Sequence, residues 1–154
     1  MRDEREKLAH AKGLQYVGLE GFVGVIANGA GLAMSTVDIV NQVGGQPANF
    51  LDIGGGANAD VMSGALEVIN NDPNVRSILI NIFGGITKGE EVANGIIEAL
   101  GRVTIDAPIV IRLDGTNAEM GREILKSHES DRLVSKATMI EAARAAVEFA
   151  KGRS

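Results

Sequence analysis

Five times between Phe22 and Lys151 an apolar run gives way to a glycine or a small polar residue and then to a helical pattern, and this alternation constrains the fold more than anything else in the chain. The runs are Phe22 to Ala27, Ala48 to Ile53, Ser77 to Phe83, Pro108 to Leu113 and a weaker one from Asp131 to Ser135. Between them lie helical segments: Leu32 to Val43, a segment capped by Asn58 and reaching Asn70, one beginning at Lys88, one after Thr116, and an alanine-rich one ending near Lys151. Short apolar strands joined through helices need crossover connections, which are right-handed and cover a parallel sheet on both faces.

The predicted fold class is therefore α/β: a flavodoxin-like doubly wound sheet of five parallel strands with helices on both faces, plus an N-terminal short strand from Leu14 to Leu19. The Glu20-Gly21 turn predicts that this short strand folds back on the next as a hairpin. Ahead of it, the alternating charges of residues 3 to 12 read as a solvated helix or a linker from something upstream. The expected division is residues 1–13 as that linker or helix, from an absent upstream domain, and 14–154 as the folded domain.

Composition narrows the partners. A net charge of −5 argues against nucleic acid or an anionic membrane, since both need basic patches, and neither is expected as a partner. Cysteine is absent, so there is no disulfide, thiolate ligand or thiol nucleophile, and with only His10 and His128 as imidazoles no transition-metal ligand set is expected. Both histidines lie in polar stretches and read as exposed. No apolar stretch near Met1 reads as a signal sequence or membrane span, and a cytoplasmic location is the default expectation. An aromatic content of 3% without tryptophan requires an aliphatic core.

In doubly wound sheets ligands bind beyond the carboxyl ends of the strands, at the point where strand order reverses. The unusual loops of this chain fall at that edge: Gly29 and Gly31 after the first strand, Gly54, Gly55 and Gly56 after the second, Gly84 and Gly85 after the third, and Gly115 after the fourth. Any one of these glycines can be explained by a tight turn. Together they describe a rim built from backbone amides. The stretch Asn81-Ile-Phe-Gly-Gly-Ile-Thr-Lys88 is the sharpest case, since an apolar strand stops at two glycines and a helix begins. Free N–H groups and the positive end of a helix dipole favour an anion there. Three T-x-x-E spacings, at Thr87–Glu90, Thr116–Glu119 and Thr138–Glu141, predict capping boxes.

Other doubly wound chemistries fit less well. Gly29-x-Gly31 followed by Asp52 partly matches a dinucleotide fingerprint, but Met34 stands where the third glycine belongs. A phospho-acceptor domain would end its third strand in aspartate, where this chain has Asn81 and Phe83, and only Phe83 is available near the rim to face a flavin. Asp52 and Asp114 at strand ends read equally as ligands for a cation or hydroxyl and as caps of neighbouring loops. Asn28 offers an uncharged amide that can orient a carboxylate.

Read together, Asn28-Gly-Ala-Gly-Leu-Ala-Met34, Pro47-Ala-Asn-Phe-Leu-Asp-Ile-Gly-Gly-Gly-Ala57 and Asn81-Ile-Phe-Gly-Gly-Ile86 closely resemble the carboxy-terminal domain of the succinyl-CoA synthetase (succinate–CoA ligase) β-subunit family. Arg112-Leu-Asp-Gly-Thr-Asn117 resembles that family's R-L-x-G-x-N segment. The resemblance implies an acid–thiol ligase that forms succinyl-CoA reversibly from succinate, CoA and ATP or GTP with Mg²⁺, through a phosphohistidine. It places that histidine and CoA on an α subunit, and the nucleotide and metal in an ATP-grasp domain upstream in the β subunit. It therefore implies no catalytic residue, cofactor or metal in this domain, and no activity for the domain alone. By matched position, Asn28, Gly85, Ile86 and Thr87 resemble the substrate-binding residues, and Gly84, Gly85 and Lys88 the phosphate-stabilising loop and helix N-terminus. Gly29, Gly31 and Gly54 to Gly56 form a secondary rim. Thr87 stands where the family often has valine, which leaves the acid open between succinate and a relative such as malate. The alternative is a stand-alone nucleotide- or anion-binding module using the same rim.

Overall fold

The computed structural model describes residues 4–54, 58–85, 88–130 and 132–152. In chain order the elements are α1 (Glu4–Ala11), β1 (Gln15–Gly18), β2 (Val23–Ala27), α2 (Ala30–Gln42), β3 (Asn49–Asp52), α3 (Ala59–Asn70), β4 (Ser77–Gly84), α4 (Gly89–Arg102), β5 (Ile109–Gly115), α5 (Ala118–Lys126), β6 (Leu133–Lys136) and α6 (Met139–Gly152). The strands form one sheet in the order β1-β3-β2-β4-β5-β6, with β2 to β6 parallel as predicted. Omitting β1, this is the flavodoxin-like order, and it reverses between β2 and β4.

Period-2 alternation along the central strands divides the core into two layers. Ile78, Ile80 and Ile82 of β4, with Ile109, Ile111 and Leu113 of β5, meet Met62, Leu66 and Ile69 of α3 and Val92, Ile96 and Ala99 of α4. Leu79 and Val110 point the other way, with Val23 and Val25, onto Val40 of α2 and Ala142, Ala143 and Ala146 of α6. The small side chains of α6 bring it close enough for Ser77 Oγ to donate to the Ala146 carbonyl at 2.6 Å.

β1 departs from expectation. It pairs antiparallel with β3, Gln15 opposite Asp52 and Gly18 opposite Asn49, and makes no hairpin with β2. Burial explains the choice. All five residues of β2 are buried, so it needs a neighbour on each side, whereas β1 leaves Gln15 and Val17 exposed and suits an edge. The connection crosses the 46–47 segment so tightly that a Cβ at Gly21 would stand 2.3 Å from the carbonyl oxygens of Gln46 and Pro47. The charged opening run is a helix, α1, with Lys7 and His10 exposed; its Ala9 is nevertheless fully buried in the core, and Lys12 just beyond it pairs with Glu67 of α3 at 3.0 Å.

The β2–β3 ladder is short, with only Ala27 and Asp52 in register within the strands. Asn49 makes up the deficit. Its side chain, 1% exposed, accepts from Val25 N–H at 3.1 Å and donates to Val25 C=O at 2.8 Å, so an amide side chain does the work of a ladder pair. Asn49→Leu leaves both Val25 groups buried without partners, at about 1–3 kcal/mol each. We expect a loss of about 2–4 kcal/mol in urea-unfolding free energy with an unchanged m-value.

Candidate functional site

The strand-order reversal places the end of β2 beside the end of β4, and the loops leaving them turn to opposite sides. Asn28 spans the gap. Its Nδ2 donates to Phe83 C=O at 2.8 Å and its Oδ1 accepts from Phe83 N–H at 2.9 Å, extending β2 by one side chain along β4. Of the amide's capacity, one N–H and one lone pair remain. Phe83 itself is 51% exposed, an aromatic face standing on the rim.

Beyond Phe83 the loop is anchored on its other side. Gly84 pairs with Gly115 of β5, Thr116 N–H donates to Gly84 C=O at 2.9 Å, and Gly89 N–H donates to Thr116 C=O at 2.8 Å. Gly115 has φ +95°, and a Cβ there would lie 2.3 Å from Gly84 O, so both conformation and space demand glycine. Gly85 is different: it is exposed, and a Cβ on it would meet nothing within 4 Å. It forms an open lip on a fixed base. Ile86 and Thr87, and with them the Thr87–Glu90 capping box, lie outside the described residues, as do Gly55 and Gly56.

On the β2 side one carboxylate holds two glycine loops. Asp52 Oδ1 accepts from Gly29 N–H at 2.7 Å and from Gly54 N–H at 2.8 Å. Asp114 is likewise engaged, taking Gly115 N–H at 2.9 Å and Arg112 Nη2 at 2.9 Å. Of the two readings left open for these aspartates, loop anchoring is the one their bonds describe. Gly31, like Gly85, has open space around it. Met34, at the third fingerprint position, is 54% exposed, so the close helix–strand packing that a third glycine serves is absent.

The rim helices differ electrostatically. α2 begins at Gly29 with no side-chain cap and no acid in its first turn. α4 begins at Lys88, exposed and without a cap bond, and carries Glu90 and Glu91 in its first turn. Glu90 reaches toward the next loop: its Oε2 accepts from Asn117 Nδ2 at 3.4 Å, while Oε1 is buried and has no hydrogen-bond partner among the described residues. The second capping box does not form. Asn117, in the left-handed region at φ 57°, stands between Thr116 and α5 and takes the cap position, and Thr116 contributes its backbone to the loop instead. At the third spacing half of the box forms: Glu141 N–H donates to Thr138 Oγ1 at 3.2 Å, while Glu141 Oε1 accepts from the Thr138 hydroxyl at 3.2 Å in place of the Thr138 backbone N–H.

Beneath the rim lies a polar network that the apolar reading of the strands passed over. Asn81, fully buried, donates to Thr36 Oγ1 of α2 at 2.8 Å, and Thr36 Oγ1 donates to Leu32 C=O at 2.7 Å. Arg112, the register partner of Asn81, donates from Nη1 to Asn81 Oδ1 at 3.1 Å. Its Nη2 holds Asp114, and its Nε is buried without a hydrogen-bond partner among the described residues. The sequence signal was there: one polar residue interrupts each of two adjacent apolar strands at the same height. His10 and His128 are exposed, and no group of three or more His, Cys, Asp or Glu suited to a metal ion occurs among the described residues.

A mostly parallel six-stranded sheet covered by helices, with its switch point bridged by an asparagine and rimmed with glycines, places the chain among flavodoxin-like α/β domains. The model of the CoA-ligase family matches residues 26–151, and the chain belongs to that family. The succinate–CoA ligase [ADP-forming] β subunit of Rubrobacter xylanophilus is 52% identical over 149 residues, 97% of this chain and 39% of that subunit. The succinate–CoA ligase [ADP-forming] subunit beta 2 of Streptomyces coelicolor is 53% identical over 152 residues, covering 99% and 40%. The chain thus spans about two-fifths of the length of these curated relatives. Among solved structures, ATP citrate lyase from Methanothrix soehngenii, in complex with citrate and coenzyme A, shares the fold at TM-score 0.74 and 19% identity, over 96% of this chain and 43% of that one.

Arg112→Met keeps the aliphatic stem but leaves Asn81 Oδ1 and Asp114 Oδ2 without their donor. We expect a stability loss of about 2–4 kcal/mol by chemical denaturation. Faster hydrogen exchange at Gly84 and Thr116 than in β2 would accompany it, because the network braces β4 against β5.

Proposed function

We propose that this chain is the carboxy-terminal domain of a succinate–CoA ligase β subunit, and that its rim presents a carboxylate substrate to a phosphorylated histidine on an α-type partner. The observation that carries the reading is the Asn28–Phe83 bridge, which brings two glycine loops and the N-termini of α2 and α4 to one edge of the sheet. The relatives' names supply the reaction class. On this reading residues 14–154 are the ligase domain and residues 1–13 lead from an ATP-grasp domain that binds ATP or GTP with Mg²⁺. CoA and the histidine belong to the partner.

What this chain contributes is electrostatic and positional. A phosphoryl in transfer spreads negative charge over its oxygens, and N–H groups fixed beforehand stabilise that charge without reorganising. The first-turn N–H groups of α2 beyond Gly29, whose own N–H is held by Asp52, the exposed Gly85 and the exposed ammonium of Lys88 supply such groups. Asn28 fixes the loop and keeps one N–H for a substrate carboxylate, beside Gly85, Ile86 and Thr87. Glu90 and Glu91 oppose an anion at α4, and the turn of Glu90 toward Asn117 lessens that opposition. Thr87, with a hydroxyl where valine is common in the family, favours testing malate beside succinate.

The test is reconstitution with an ATP-grasp domain and an α-type subunit. Gly85→Asp puts a carboxylate on the open lip, where there is room for it, so the circular dichroism spectrum and melting profile of the domain should stay close to the parent. Turnover should fall by about 100-fold or more, as for loss of an oxyanion-stabilising donor. Parent-like turnover and phosphohistidine formation in that variant would remove the loop from the mechanism. Tight nucleotide binding by the isolated chain would instead favour a stand-alone module.

A further inference from the structure

The sheet has a second end. Opposite the rim, beside the first residues of β2 and β4, the chain encloses a cleft of about 240 Å³. The Gly44-Gly45-Gln46 turn that ends α2 forms one wall and the last turns of α6 the other; Val23, Val147 and Ala150 make its apolar surface, and Arg76 and Lys151 its cationic one. Among the described residues no acidic side chain lines it. In a chain of net charge −5 this is unusual, and neither cation is engaged in an ion pair among the described residues.

Arg76 is held in place from behind. Its guanidinium carbon lies 4.2 Å from the centroid of the Phe22 ring, and the Arg76 backbone N–H donates to Phe22 C=O at 2.7 Å. Stacking fixes the plane of the group while leaving its N–H edges available, and an ordered guanidinium loses little freedom when it binds a carboxylate through two parallel bonds. Lys151 stands across the turn, its Nζ 4.0 Å from where a Cβ on Gly44 would lie.

We propose that this cleft binds a small organic carboxylate with a short apolar body, the carboxylate between Arg76 and Lys151 and the body against Val23, Val147 and Ala150. The volume is below the roughly 300–1,000 Å³ of sites for drug-sized ligands, which suits an anion of a few carbons and leaves no room for a nucleotide. Two cations without apolar surface would take any anion; the apolar wall selects one that carries hydrocarbon. The eight residues of β4 separate this cleft from the rim by roughly 23 Å, so its occupant is a different molecule from the one at the rim.

Hexanoate titrated into the ¹⁵N-labelled 154-residue chain, followed by two-dimensional NMR, tests this, with hexanamide and inorganic phosphate as controls. Saturable shifts are expected for the amides of Gly44, Gly45 and Gln46 and for Arg76 Nε, with Gly29 and Gly85 unmoved. Hexanamide, lacking the charge, and phosphate, lacking the body, should each bind at least about tenfold more weakly. Arg76→Met and Lys151→Gln should each weaken hexanoate by about tenfold. Lys151→Gln is at an exposed helix end and keeps the test valid if Arg76→Met disturbs packing. Absence of saturable shifts, equal binding of either control, parent-like binding by Lys151→Gln, or shifts confined to Gly29 and Gly85 would overturn the proposal.

Discussion

The rim depends on one side chain satisfying two backbone groups across the sheet. Parallel strands β2 and β4 stay in register from Val23–Ser77 to Ala27–Asn81, and then β2 ends while β4 continues. Without Asn28, the N–H and C=O of Phe83 that face β2 would have no partner at the place where the chain leaves for two different layers. The asparagine amide, a donor and an acceptor in one plane, closes the gap and fixes where the Gly84-Gly85 loop begins. Asn49 does the same on the other side of β2, meeting both polar groups of Val25. The central strand is thus flanked by two side-chain bridges, one deep in the sheet and one at its edge.

Charges under and around the rim follow from that geometry. Asp52 gathers the N–H groups of two glycine loops, and Arg112 ties Asn81 to Asp114. These contacts are made by residues whose types, in isolation, also suit ligand binding. In this fold they shape the loops, and on the proposed function ligand contacts fall to backbone amides. Glycines at the lip stay open to solvent, while Gly84 and Gly115 are pressed together at its base.

The first turn of α4 carries a conflict between stability and function. Glu90 and Glu91 complement the positive end of the helix dipole, which stabilises an empty helix N-terminus by roughly 0.3–1 kcal/mol each at exposed sites. On the proposed function the same charges oppose an incoming phosphoryl. α2 carries no acid in its own first turn, but the Asp52 carboxylate takes the N–H of its cap residue Gly29, so the acid at α2 comes from outside the helix and the acids at α4 from within it. Glu90, with one oxygen toward Asn117 and the other buried without a partner among the described residues, sits at the centre of this difference.

The alternation of apolar runs, glycine turns and helices determined the layered parallel sheet by itself, because buried strands and amphipathic helices have few other ways to cover one another. It also determined the glycine rim, and three motifs in order pointed to the family that the comparisons establish. Tertiary structure decided what depended on partners distant in sequence. β1 went to the edge beside β3 because β2, buried at every position, required two neighbours. Asn49, Asn81 and Arg112 acquired their roles only when register set them against Val25, Thr36 and each other. The Thr116 spacing read as a capping box until Asn117, turned left-handed to pass from β5 into α5, took the cap position. Local sequence carries period and propensity; the partner of a hydrogen bond tens of residues away is chosen by strand order, and strand order belongs to the folded sheet.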